Sequence, residues 1–129
     1  MGTWGHGSFH NDDAADWLFE LDEGGLDVVD AALQAARAGR FLAASDCCTA
    51  LAAAEVVAAM RGRPAPDLPE ELHAWLRQRR APPSAGLTER AQKAVAAVLA
   101  DSELADLWRE SGQFAAWESV VRDLATRLH

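Results

Sequence analysis

The first sixteen residues, MGTWGHGSFHNDDAAD, place a Gly-rich stretch directly before a run of carboxylates. A Gly-His-Gly sequence in front of a helix suits an anion cradle, because glycines let the backbone approach a phosphate and a helix N-terminus offers free N–H groups. Asp12, Asp13 and Asp16 would lie where the phosphate binds, and no Lys or Arg precedes Arg37 to offset their charge. We therefore do not expect a phosphate site.

The same carboxylates are the ligands of a possible metal site. In helical nucleotide pyrophosphohydrolases, acidic pairs on neighbouring helices share Mg²⁺. The corresponding candidates here are Asp12, Asp13, Asp16, Asp27 and Asp30. That pattern favours Glu, however, and the basic residues that a nucleotide needs are missing nearby. His6 and His10 form a smaller transition-metal candidate of low specificity. A metal-dependent hydrolase is therefore the alternative function, and our main expectation is a protein with no enzymatic activity and no cofactor.

A structural interpretation of the opening needs no ligand. The residues of this motif are Trp4, Gly5, Gly7, Phe9, Asn11, Asp12 and Asp13. Its aromatic residues would anchor the segment on the core, and its glycines would allow backbone angles or close approaches that a side chain blocks. Its asparagine or one of its aspartates would cap the first helix and favour the helix dipole. This interpretation predicts an ordered Gly/aromatic loop that pins the N-terminal segment to the core.

Three helices are predicted in the first half of the chain from the spacing of apolar residues. The first ends at Gly24 and Gly25, and the second closes at Gly39. The second helix is predicted to turn inward Leu26, Val29, Leu33 and Ala36. The third, capped by Ser45 or Asp46, is apolar nearly all round, which predicts the central and most buried element.

The second half of the chain predicts up to four more helices after the breaks RGRPAPDLP and RAPPSAGL. Pro69 suits the start of a fourth helix, Thr88 caps a fifth, and Asp101 or Ser102 starts a short sixth. The last helix places apolar residues in a heptad seam, namely Phe114, Trp117, Val121, Leu124 and Leu128. Two heptads are too few for a free coiled coil, so the seam should pack on the domain, with a homodimer through residues 114–128 as the alternative.

Together these patterns predict an all-α protein: a compact single-domain bundle of six to seven short helices over residues 1–129. The most apolar segment, residues 42–60, is interrupted by polar groups, and the N-terminal region lacks the features of a signal peptide, so we expect a cytoplasmic protein without membrane contact. Cys47 and Cys48 are adjacent, which strains a disulfide and predicts two buried thiols.

Negative charge is concentrated at one end of the chain. Residues 1–60 hold ten acidic groups and two arginines, whereas residues 61–129 hold ten groups of each sign. Such a field repels nucleic acid and attracts metal ions or a basic partner. Arg77, Arg79 and Arg80 lie at a predicted helix C-terminus, where cations complement the dipole, so we expect no nucleic-acid binding.

Four stretches of the chain resemble an uncharacterised bacterial family known only as a domain of unknown function. They are the opening Met-Gly-x-Trp-Gly-x-Gly-x-Phe-x-Asn-Asp-Asp-Ala and the segments ALAAAEVVAAMRGRP, LPEELHAWL and SELADLWRE. The resemblance extends over nearly the whole chain, and it implies no particular activity, substrate or cofactor.

The function expected from the residues is therefore recognition of a basic protein. Clustered carboxylates steer such encounters and speed association, as in immunity-type or regulatory proteins. The residues expected to bind the partner are Asp16, Glu20, Asp27 and Asp30. The alternative is that these residues form only a solvated, solubilising face.

Overall fold

The computed structural model describes residues 5–37, 41–79 and 81–129, which form seven α-helices and no strand within these ranges. The helices are α1 (Asp12–Gly24), α2 (Leu26–Ala35), α3 (Ala44–Met60), α4 (Glu70–Arg77), α5 (Ala85–Ala100), α6 (Glu103–Ser111) and α7 (Phe114–Arg127). The predicted all-α bundle is confirmed. None of the described helices is long and apolar enough to cross a membrane.

The first two helices are joined by a single glycine. Among the three predicted caps of α1, the structure uses Asn11, whose side-chain oxygen accepts a hydrogen bond from the Ala14 N–H at 2.8 Å. At the other end, Gly25 has φ +64°, a backbone conformation that favours glycine, and donates its N–H to the Leu21 carbonyl. Because α2 starts at the next residue, only this turn separates the acidic residues of α1 from those of α2.

Two details predicted for α2 are wrong. The helix ends at Ala35, four residues before the predicted end at Gly39, which lies outside the described residues. Ala36 has already left the helical conformation, although it is buried as predicted. Leu26 is exposed rather than inward-facing, and it is the first residue of α2, directly after the tight turn at Gly25. Val29 and Leu33 are buried, in agreement with the pattern.

Helix α3 is the centre of the molecule, as its composition predicts. Every residue from 47 to 58 except Thr49 is buried. Its predicted caps, Ser45 and Asp46, are wrong: the helix begins at Ala44, with Ala43 in the capping position. The Ala44 N–H instead donates to Oε1 of Glu103, at the start of α6, at 2.7 Å. A carboxylate from a distant helix therefore performs the role that a local side chain usually plays.

Unlike α3, helices α5 and α6 are capped by local side chains. Ser84 caps helix α5: its Oγ accepts the Leu87 N–H at 3.1 Å, so the predicted cap Thr88 is wrong and lies buried inside the first turn. Ser102, one of the two predicted residues, caps helix α6: its Oγ accepts the Ala105 N–H at 3.1 Å.

The apolar seam of α7 packs inside the chain. Trp117, Val121, Leu124 and Leu128 are all buried in the core shared with the other helices, and Phe114 is partly buried against it. The prediction that the seam packs on the domain is confirmed for these residues. The homodimer through residues 114–128 stays a prediction.

The two thiols are free and buried, as predicted. Burial raises the pKa of Cys47, and it raises the pKa of Cys48 to about 12, with smaller contributions from the negative charge of Asp13 and from Cys47. Since the thiolate is the reactive form of cysteine, neither side chain suits nucleophilic or redox chemistry near neutral pH.

Candidate partner-binding surface

The four residues expected to bind a partner lie on the first two helices, and we call them the acidic face: Asp16, Glu20, Asp27 and Asp30. Asp16 and Glu20 are four residues apart on α1, and Asp27 and Asp30 are three apart on α2. At these spacings the side chains of each pair lie on the same side of their helix. The first three are exposed to solvent, and Asp30 is half-buried.

Asp30 differs from the others because it already has partners within the chain. The Nε of Arg90, on α5, donates to one oxygen of Asp30, and Nε2 of Gln34 donates to the other at 2.8 Å. Among the described residues, Asp16, Glu20 and Asp27 make no ion pair. The structure thus leaves three carboxylates of the acidic face available to a partner and assigns the fourth to the contact between α2 and α5.

The five candidate metal ligands do not assemble into a coordination site. Asp12 and Asp13 lie in the first turn of α1, whereas Asp27 and Asp30 lie on α2. In the part of the chain that the structure describes, no three His, Cys, Asp or Glu side chains are grouped so as to hold a metal ion. The ion pair with Arg90 also supplies Asp30 with a positive charge that a metal would have to displace.

The Gly-rich loop before α1 is built around the imidazole of His10. A Cβ added at Gly5 would lie 2.5 Å from Nδ1 of this ring, and one added at Gly7 would lie 2.8 Å from it. The Gly7 N–H donates to Nδ1 at 3.2 Å, so we assign the ring proton to Nε2, which faces Asp67 at 3.2 Å. The two glycines are therefore explained by the close approach of a side chain from the same loop, with no anion required.

The remaining loop contacts attach the segment to α6, α7 and the core. Phe9 is buried in the core, whereas the second proposed anchor, Trp4, lies outside the described residues. The ring of His6 lies 5.0 Å from that of Trp108, and its Nε2 lies 2.6 Å from Oε1 of Gln113. Both histidines proposed as metal ligands thus contact other side chains of the protein.

Sequence reasoning missed a buried ion pair beneath this loop. Glu55, only 2% exposed at the middle of α3, accepts a hydrogen bond from Oγ of Ser8 at 2.9 Å. Its two oxygens also bind the guanidinium of Arg127, on α7, at 2.8 and 3.2 Å. A carboxylate in the core is tolerated only when it is paired, and here three separate segments meet on it. One signal was present: Glu55 is the only charged residue between positions 47 and 60.

Arg127 makes two further hydrogen bonds. It donates to Oδ2 of Asp123 at 2.9 Å and to the Arg63 carbonyl at 3.1 Å. Burial alone lowers the pKa of Arg127, but the hydrogen bonds and negative charges of Glu55 and then Asp123 outweigh it, so its pKa lies above the ordinary value. The guanidinium therefore stays charged, and its hydrogen bonds with Glu55 link α7 to α3.

Two residues of the basic cluster at the end of α4, Arg77 and Arg79, contact other side chains of the protein. Helix α4 ends at Arg77, which pairs with Glu70 at the start of the same helix. The guanidinium of Arg79 lies 4.2 Å above the ring of Trp75, in a cation–π contact. Arg80, the third member, lies outside the described residues.

Comparison with protein families gives a match to this chain. The model of a family described as a domain of unknown function (DUF4259) matches residues 2–120. Neither the curated proteins nor the solved structures contain a match to this chain.

Proposed function

The chain belongs to this family, whose description assigns no activity, and we propose that it is a non-enzymatic helical module that binds a basic protein partner through the acidic face of α1 and α2. An immunity-type or regulatory protein is the concrete form of this proposal. Its place of action would be the cytoplasm, a reducing compartment that suits the two free, buried thiols.

One observation carries the proposal. Between residues 12 and 30 the chain bears eight carboxylates and no Lys or Arg, and seven of the eight are exposed. Only Asp30 among them is neutralised by an ion pair within the described structure. Fixed charges of one sign on a rigid helical surface raise the association rate of an oppositely charged protein.

The test is capture of a partner by the purified protein from a lysate of the source cells, followed by rate measurements with the isolated partner. The expected partner is basic, and its association slows as salt concentration rises. The triple variant Asp16→Asn, Glu20→Gln, Asp27→Asn should associate about tenfold more slowly at low salt. These side chains are exposed, so the variant should keep the wild-type fold.

A matched control removes three exposed carboxylates from α5, α6 and the segment between them. The variant Glu89→Gln, Asp101→Asn, Glu110→Gln has the same net charge as the test variant. It should associate at nearly the wild-type rate. Equal slowing in both variants would mean that net charge rather than the acidic face matters, and no slowing in either would leave the acidic face as a solvated surface only.

The alternative, a metal-dependent hydrolase, is distinguished by a thermal melt with Mg²⁺, Mn²⁺, Ca²⁺ or Zn²⁺ against a chelator. A protein whose aspartates serve only as surface charges and favourable partners of the helix dipole should show the same melting temperature in all conditions. The double variant Asp13→Asn, Asp16→Asn should then lose at most about 1 kcal/mol, through weaker interactions with the helix dipole. A metal-dependent rise that this variant abolishes would contradict the non-enzymatic proposal and favour the hydrolase.

A further inference from the structure

An apolar cleft lies between α4 and α1, the helix that also carries Asp16 and Glu20 of the acidic face. Its volume is about 500 Å³, and its walls include Leu18, Leu21, Leu72 and Trp75. Leu21, Leu72 and Trp75 belong to the buried core and close the floor of the cleft, so its accessible apolar surface comes from the half-buried Leu18 and the exposed Phe19. Helix α4 packs on α1 and α3, and its buried residues are Leu72 and Trp75.

Phe19 stands at the edge of this cleft with 76% of its surface exposed. A single exposed aromatic side chain is ordinary on a protein surface, but an aromatic side chain beside an apolar cleft forms a continuous patch. Aromatic residues with this placement are typical anchors of protein interfaces, because they bury a large area at a low cost in conformational entropy.

The charged residues lining the cleft are both acidic. Asp22 projects from α1 and Glu71 from α4, both are exposed, and neither makes an ion pair among the described residues. No Lys or Arg in the described ranges lines the cleft; on α4 and just after it, Arg77 pairs with Glu70, and Arg79 lies over the ring of Trp75. The cleft therefore combines an apolar floor with unpaired negative charge at its edges.

We propose that this cleft receives the apolar side chains of a basic amphipathic helix of the partner. The proposal rests on the function proposed above and gives that partner a recognisable feature. Apolar residues spaced three and four apart would insert beside Phe19, while flanking Lys or Arg side chains would meet Asp22 and Glu71. An anionic amphiphile such as a fatty acid would meet like charges at these edges. A second copy of this chain, with a net charge of −8, would meet general repulsion.

The test uses a synthetic peptide of about 18 residues, with Leu at helical spacing and Lys elsewhere, titrated calorimetrically into the full-length protein. A second peptide with Glu in place of Lys is the charge control. Binding of the Lys peptide should weaken about tenfold in the variant Phe19→Ser. The variant Phe41→Ser is the matched control, because Phe41 is also 76% exposed but does not line the cleft. It should bind the peptide as the wild type does.

A further variant tests the contribution of the negative charge at the edges of the cleft. Asp22→Asn with Glu71→Gln should weaken binding of the Lys peptide and reduce the salt dependence of that binding. The Glu peptide should bind neither protein. Because Phe19, Asp22 and Glu71 are exposed, circular dichroism melts of all variants should match the wild type.

Three results would overturn the proposal for the cleft. In the first, the Lys peptide fails to bind. In the second, it binds Phe19→Ser as tightly as the wild type, and its binding weakens only in the acidic-face variant Asp16→Asn, Glu20→Gln, Asp27→Asn. The second result would leave the proposed function intact and move the contact away from the cleft. A mass that rises with concentration in the wild type but not in Phe19→Ser, measured by sedimentation, would make a second copy the occupant.

Discussion

Replacing Arg127 with Met should lower the free energy of unfolding by about 3–5 kcal/mol, because it strands the carboxylate of Glu55 in the core. Glu55 is 2% exposed, and without the guanidinium its remaining side-chain partner is the hydroxyl of Ser8. The melting temperature should fall by about 10 °C or more for a domain of this size. Urea unfolding followed by circular dichroism measures the effect.

Helix α7 offers a matched control for this substitution. Arg122 pairs with Glu118 one turn away on the solvent-facing side, where its side chain is 65% exposed. Arg122→Met should therefore cost less than about 1 kcal/mol. The double variant Glu55→Leu, Arg127→Met should be clearly more stable than Arg127→Met alone, since the buried charge is then gone. A double variant as unstable as the single one would show that packing, not the unpaired charge, causes the loss.

Replacing Leu124 with Ala should lower the free energy of unfolding by about 2–5 kcal/mol, because the side chain is completely buried and its removal leaves a cavity. The protein should keep the oligomeric state of the wild type, since the residue faces the core of its own chain. Thermal unfolding and sedimentation measure the two expectations separately.

The same substitution at an exposed site controls for the loss of a leucine from a helix. Leu107 on α6 is 43% exposed, and Leu107→Ala should cost less than about 1 kcal/mol. Equal losses at both positions would contradict the burial of Leu124. A dimeric wild type that becomes monomeric in Leu124→Ala would instead support a homodimer through residues 114–128.

Helix positions followed from local physical chemistry and could be predicted. Asn11 and Ser102 cap their helices with side chains that bond to backbone groups three residues away, so the signal is contained in a short window. The apolar character of α3 likewise predicted its central place, because a helix without a polar face must be covered on all sides.

The predicted start of α3 is wrong because a distant residue took over a local role. The start of α3 depends on Glu103, fifty-nine positions from Ala44, so neither Ser45 nor Asp46 is needed. Thr88 resembles a cap in sequence, but Ser84 four residues earlier holds that position and Thr88 is buried by packing. A local window contains both Ser84 and Thr88 and does not decide between them, whereas Glu103 lies outside any local window around Ala44.

The acidic character of the candidate surface was determined by the sequence itself, since eight carboxylates without a nearby Lys or Arg give a negative field in any helical arrangement. Only the tertiary structure decided how each carboxylate is used. It joins Asp30 to Arg90 and Glu55 to Arg127, pairs separated by 60 and 72 positions, and opens the cleft beside Phe19. Charge adds along the chain regardless of fold, whereas an ion pair or a cleft exists only where packing brings distant segments within a few ångströms.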